Sequence, residues 1–108
     1  MTKELKDTIS LMLSDDFKVR GVAEYLQIKI RTEQNRTFIK NWKRGELKFS
    51  PCNTLEQSET QLKAMELYEF TLRNRLKQVF NISDDDDFEE LVWDIYHKNC
   101  DKVRISDN

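Results

Sequence analysis

Arg20, Glu24, Gln27 and Arg31 recur every three or four positions within Arg-Gly-Val-Ala-Glu-Tyr-Leu-Gln-Ile-Lys-Ile-Arg, residues 20–31. On an α-helix that spacing puts all four on one side. Two guanidinium groups flanking a carboxylate and an amide suit a phosphorylated, polar ligand. Arginine forks match phosphate oxygens, and Glu24 and Gln27 have the donors and acceptors to read a base edge or a ribose. Tyr25 beside them, and Trp42 and Phe49 further on, have faces on which a base could stack. The competing reading is plainer: a solvated helix face with i, i+4 pairs such as Arg20–Glu24, each worth ~0.3–0.5 kcal/mol, and aromatics buried at helical spacing.

Other chemistry has weaker support. His97 and Cys100 stand at i, i+3 with Cys52 distant, but zinc sites pair ligands closely on both sides, so no metal is expected. A Cys–His nucleophile would also need an orienting group and a pocket. The run Asp84–Asp87 fails as a calcium loop, because Phe88 falls where that loop needs Gly. It suits the start of a helix instead. There is no Gly-rich phosphate loop, no Ser–His–Asp order and no metalloprotease motif. The expectation is a protein that is not an enzyme and takes no cofactor.

The 108 residues suit one domain, 1–108, with a modest core. Charged residues are 35% and hydrophobic ones 38%, with two Gly and one Pro, which favours long helices over a sheet built on turns. A formal net charge of -2 argues against a nucleic-acid polymer as partner. That total hides a dipole: residues 29–48 carry net +5 and residues 81–108 net -6. Short apolar runs broken by charge predict no membrane span, and the N-terminus lacks a secretory apolar region. Two cysteines fit free thiols in a cytoplasmic setting, although parity alone permits a Cys52–Cys100 bridge.

The elements that must position these side chains read as all-α. A short amphipathic first helix spans Thr2–Leu13, with Leu5, Ile9, Met12 and Leu13 on one side. Ser14-Asp15-Asp16 caps a second helix running from about Asp15 to Lys43, roughly 40 Å long at 1.5 Å per residue. Its seam holds Gly21, Tyr25, Ile28, Thr32, Asn35, Ile39 and Trp42, widened by Phe17, Leu26 and Phe38. Thr32 and Asn35 are polar where a hairpin wants Leu, and each costs ~1–3 kcal/mol unless hydrogen-bonded.

Gly45 ends that helix, and a loop follows with Leu47 and Phe49 tucked under it. Asn53 or Thr54 caps a third helix to about Phe80, with a seam of Leu55, Leu62, Met65, Leu72, Leu76 and Val79 and Tyr68 alongside. The two long helices make an antiparallel hairpin, residues 15–80. The register predicts Arg31 near Glu66, Tyr25 near Leu72 and Glu24 near Arg73. Lys18 and Arg20 meet Arg73, Arg75 and Lys77 at the open end. An acidic last helix, 83–99, presents Phe88, Leu91, Val92, Ile95 and Tyr96 on one face with Trp93 to the side. The tail beyond Asn99 shows no strong pattern.

Ser14-Asp15-Asp16-Phe17-Lys18, Ala23-Glu24-Tyr25-x-Gln27-Ile28-Lys29-Ile30-Arg31, Trp42-x-x-Gly45-x-Leu47-x-Phe49-x-Pro51-Cys52 and Gln61-Leu62-x-Ala64-Met65-x-x-Tyr68 resemble a family of small helical proteins. That family comes from crAss-like and other tailed bacteriophages and prophages. The chain departs from its pattern at Thr32 and Asn35, which tend to be apolar there, and in adding the acidic last helix. The resemblance implies a phage accessory protein acting in the host bacterial cytosol. Such proteins commonly counter host defence, some by sequestering a nucleotide immune signal; that is an analogy of class.

The leading expectation is therefore a non-enzymatic sponge, a homo-oligomer that holds a cyclic oligonucleotide or a cyclic ADP-ribose-type molecule between protomers. Arg20 and Arg31 would hold phosphate, Glu24 and Gln27 would read base or ribose, and Tyr25, Trp42 or Phe49 would stack. The alternative is a helical inhibitor or adaptor that docks on a host protein through the hairpin or the acidic helix. A virion component is the third reading.

Overall fold

Caps delimit the long helices. The structure, a computed structural model, describes the backbone of residues 5–107 and the side chains of residues 5–99. Asp16 is extended and its carboxylate accepts from Lys18 N at 2.9 Å, starting α2, Phe17–Lys43. Gly45, at φ 71°, takes the left-handed conformation after the last turn. Glu46 N then bonds Asn41 O at 2.9 Å and Gly45 N bonds Trp42 O at 3.0 Å, the Schellman pattern that pairs otherwise orphaned carbonyls. Thr54 starts α3, Leu55–Val79, with a reciprocal capping box to Gln57. Asn81, at φ 57°, ends it the same way, through Ile82 N to Lys77 O at 2.8 Å. Asp84 then accepts from Asp86 N at 2.7 Å and Asp87 N at 3.1 Å, opening α4, Asp85–Asp107.

The described residues form helices and connecting turns with no strand, the all-α class the composition predicts. α2 and α3 run antiparallel as a hairpin: Gly21 faces Leu76 at one end, and Lys43 pairs with Glu59 at the other. Tyr25, Thr32 and Ile39 are buried along the expected lane. Thr32 Oγ1 donates to Ile28 O at 2.6 Å, so its hydroxyl is satisfied within its own helix. Val22, Ala23 and Leu26 lie on a different side of α2 and join Leu11, Phe88, Val92 and Tyr96 in one core with Leu72 and Leu76. α2 is thus apolar on two sides, and the N-terminal segment and α4 together cover the second.

Several expectations are corrected. The first segment is not one amphipathic helix. A 3₁₀ turn, Leu5–Thr8, precedes α1, Ile9–Met12, and residues 2–4 of the expected helix lie outside the described residues. The change from three to 3.6 residues per turn shifts the phase of the segment. Thr8 and Leu11 are buried, whereas Ile9, Met12 and Leu13, expected inward, are exposed. Phe17, expected in the seam, is 62% exposed, and so is Phe49 in the loop. The last helix does not stop at Asn99; its backbone continues to Asp107.

The register predicts neighbours rather than ion pairs, and the ion pairs that form reach along the groove: Arg36 takes Glu66 at 3.3 Å, and Arg75 takes Glu24 at 3.6 Å. The expected cluster of cations at the open end dissolves. Lys18 lies over the Phe80 ring, Arg73 pairs with Glu69, and Lys77 pairs with Asp85 at 2.5 Å.

Candidate functional site

The lane of Arg20, Glu24, Gln27 and Arg31 runs between the α3 contact and the N-terminal segment, and the fold divides it. Arg20 Nη1 donates to Ser14 O at 2.8 Å, tying down the turn before α2. Glu24 accepts from the Tyr68 hydroxyl and pairs with Arg75. That bond to Glu24 is the first cause of a raised Tyr68 pKa, since ionising the phenol would set two anions together. Gln27 Nε2 donates to Thr8 Oγ1 at 3.0 Å and lies on Met12 Sδ, fastening the N-terminal segment to α2. Arg31 stays exposed, with no ion-pair partner among the described residues.

Arg31 lines an open groove of about 380 Å³ with Gln34, Asn35, Gln61 and Met65. α2 supplies a guanidinium and two amides, and α3 a third amide and a thioether. Asn35 is held loosely: its Nδ2 reaches Ser58 O at 3.4 Å and Met65 Sδ at 3.7 Å, at the long end of hydrogen bonding. The three amides offer both donors and acceptors, Arg31 offers a fork, and Met65 an adaptable apolar surface.

The aromatics part company. Tyr25 is fully buried, edge-on to Phe88 at 5.2 Å. Its hydroxyl donates to Glu89 Oε1 at 2.6 Å, and Glu89 Oε2 takes Lys29 Nζ at 3.0 Å. Arg73 Nε donates to the same Tyr25 oxygen at 3.4 Å. Burial, then the neighbouring Glu89 carboxylate, push the Tyr25 pKa well above its ordinary value. Burial works to raise Glu89 too, but the hydrogen bonds from Tyr25 and Lys29 and the charges of Lys29 and Arg73 outweigh it and hold it below the ordinary carboxylate range. Trp42 packs edge-on to Phe38 at 5.6 Å, and Phe49 stacks on Phe38 at 6.0 Å, at the closed end of the hairpin. Eleven residues of helix separate Arg31 from Trp42, about 16 Å, so within one chain the groove and this aromatic cluster are separate features.

Sequence reasoning singled out Asn35 as a polar flaw in the seam but not as a groove residue; it placed Met65 in the α3 seam and Gln61 in the family-like string with no ligand role for either, and it passed over Gln34. The uncharged run Gln34-Asn35 facing Gln61 was the available signal. Lys29, Arg73 and Glu89 were passed over as a group, because their meeting depends on where α4 docks. Cys52 is an exposed free thiol. The bridge and metal readings through Cys100 fall on a side chain outside the described residues. His97 packs against Trp93 at 4.2 Å. Among the described residues no group of His, Cys, Asp and Glu has metal-site geometry, and no helix is long and apolar enough to cross a membrane.

A family model described as Sequestin matches residues 15–78, more than half of the chain. The match takes in the hairpin and stops short of α4. No curated protein and no solved structure matches the chain.

Proposed function

The chain belongs to the Sequestin family, and from that premise we propose that it binds and sequesters a small molecule without transforming it. The ligand we infer is a nucleotide-type immune messenger, a cyclic oligonucleotide or a molecule of the cyclic ADP-ribose type. The setting is phage counter-defence in the cytosol of a bacterial host. The family's name supports sequestration. The resemblance of the Ser14–Phe80 segment to phage proteins supports the setting.

The observation that carries the ligand class is the Arg31 groove. Its guanidinium has no ion-pair partner among the described residues, and it lines the groove together with the amides of Gln34, Asn35 and Gln61. A phosphate on Arg31 and a base or ribose on the amides is the pairing this donor set favours. The groove is open, so tight retention needs a cover. A second copy that brings Trp42 and Phe49 over the ligand supplies both stacking and closure, which makes the working form a homo-oligomer. Arg20, Glu24 and Gln27 then hold the scaffold, and Tyr25 sits beneath it.

Calorimetry of the purified protein with a panel of cyclic nucleotides tests this reading. One ligand should bind with a large exothermic signal and be recovered chemically intact after heat denaturation. Flat heats across the panel end the proposal, and recovery of a cleaved product ends the sponge.

A second reading, docking on a host protein, is favoured by Leu67 and Phe70, which are exposed on the outside of α3. Deleting residues 81–108 does not separate the two, because Phe88, Val92 and Tyr96 belong to the core. Leu67→Asp with Phe70→Asp does: it should abolish docking and leave the Arg31 groove able to bind a nucleotide.

A further inference from the structure

We propose that Tyr25, Lys29 and Arg73 form a second, phosphate-binding site on the hairpin, which the Glu89 carboxylate occupies as an internal substitute for a phosphate. Two donors converge from α2, one on each carboxylate oxygen: the Tyr25 hydroxyl at 2.6 Å and the Lys29 ammonium at 3.0 Å. The Arg73 guanidinium of α3 backs the Tyr25 oxygen at 3.4 Å and strengthens it as a donor. Two oxygens of a phosphate fit the same two donors, and charge-assisted bonds of this kind are the strong ones.

Three further observations support a site rather than a plain structural bond. The donors all lie within the family-matched segment, residues 15–78, while the acceptor comes from α4 outside it. The hairpin thus carries the cationic half of the arrangement on its own. The cluster also sits at the solvent boundary: the Lys29 and Glu89 side chains are 27% and 36% exposed, so a ligand reaches them. Finally, Phe88, Val92 and Tyr96 are buried and keep α4 docked, so a rotation of the Glu89 side chain alone would vacate the donors. With Glu89 turned away, Arg73 keeps Glu69 at 3.5 Å as its ion-pair partner among the described residues, and Asp85, whose charge also feels Arg73, is paired with Lys77, so the cluster reads net positive.

This site is distinct from the Arg31 groove. Lys29 and Arg31 are two residues apart on α2 and project from nearly opposite sides of it. The inference shares with the sequestration reading only a phosphate-bearing ligand.

The test titrates inorganic phosphate, AMP and adenosine into wild-type protein and Glu89→Gln, followed by NMR and calorimetry. Glu89→Gln should bind phosphate and AMP roughly tenfold tighter than wild type or more, as expected for removing a charged competitor. Adding Lys29→Gln should abolish the gain, and adenosine should show none. A folded Glu89→Gln that gains nothing overturns the proposal, and so does an equal gain for adenosine. If Glu89→Gln does not fold, Glu89→Asp serves: its charge is drawn back by one methylene, a smaller gain is expected, and no gain overturns the site. A wild-type protein silent to every cyclic nucleotide, beside a Glu89→Gln that gains phosphate binding, would sink the sequestration reading and leave this site standing. A wild type that retains a cyclic nucleotide with no effect of Glu89→Gln does the reverse.

Discussion

The Tyr25 hydroxyl donates to Glu89 Oε1 at 2.6 Å, across 64 residues of sequence, and so joins the middle helix of the fold to its last one. The bond sits where α2, α3 and α4 meet, between the Phe88 ring on one side and Lys29 and Arg73 on the other. A buried phenol in a helical seam is ordinary; one whose oxygen touches a carboxylate and a guanidinium makes the junction polar and specific.

Tyr25→Phe keeps the ring and deletes that bond. Glu89 retains Lys29 but loses its closest donor, so unfolding free energy should fall by ~1–3 kcal/mol, the cost of unpairing a half-buried charge-assisted bond. Urea denaturation followed by circular dichroism measures it. No change in the midpoint would show that water replaces the hydroxyl at no cost.

The junction predicts the pH dependence at both ends. The Glu89 pKa is depressed in the folded state, so its contribution is fully present above the unfolded carboxylate value of 4.5 and is lost as pH falls through the folded one. The Tyr25 pKa is raised, so its contribution is present below 10.0 and is lost as pH climbs through the folded value. Denaturation midpoints should therefore be flat between these limits as far as this pair is concerned. Glu89→Gln should shrink the acid-side loss relative to wild type, and an unchanged acid limb would assign that loss to other carboxylates.

Arg31 and Gln27 share a helix lane but should answer differently to alanine. Arg31→Ala should leave stability within about 0.5 kcal/mol, as for an exposed side chain with no ion-pair partner among the described residues, and weaken the proposed nucleotide binding tenfold or more. Gln27→Ala removes the bond to Thr8 and should cost ~1 kcal/mol by loosening the N-terminal segment, with ligand affinity preserved. Thermal melts paired with calorimetry separate the two, and the opposite pattern would move the site to the Gln27 side.

Gly21 marks the close approach of α2 to α3. A Cβ there would lie 2.8 Å from Leu76 Cδ2. The contact is the end of a flexible side chain, so Gly21→Ala should stay within ~1 kcal/mol of wild type, the gain in helix propensity offsetting the shift of Leu76. Gly21→Ile has no such room and should cost ~1–3 kcal/mol through overpacking. Equal melting temperatures for both variants would mean that the crossing is looser than described.

The hairpin was legible because its signals are local. Asp16, Gly45 and Thr54 punctuate the chain through bonds to residues within a turn or two, and the lane of Tyr25, Thr32 and Ile39 follows from helical period alone. The N-terminal segment misled because a single 3₁₀ turn re-phases everything after it, and period counting assumes one helix type throughout.

By itself the sequence determined the two long helices of the hairpin, their antiparallel pairing and the side of α2 on which Arg20, Glu24, Gln27 and Arg31 stand, since each depends on neighbours close along the chain. Only the tertiary structure decided what those four side chains do. Ser14, Tyr68, Arg75 and Thr8 arrive from other segments and engage three of them, leaving Arg31 over the groove. The same holds for Glu89, one acid among many near the start of α4, which the docking angle of that helix places on Tyr25 and Lys29. Helical period fixes the direction of a side chain about its own axis; what it meets there depends on how separate helices pack.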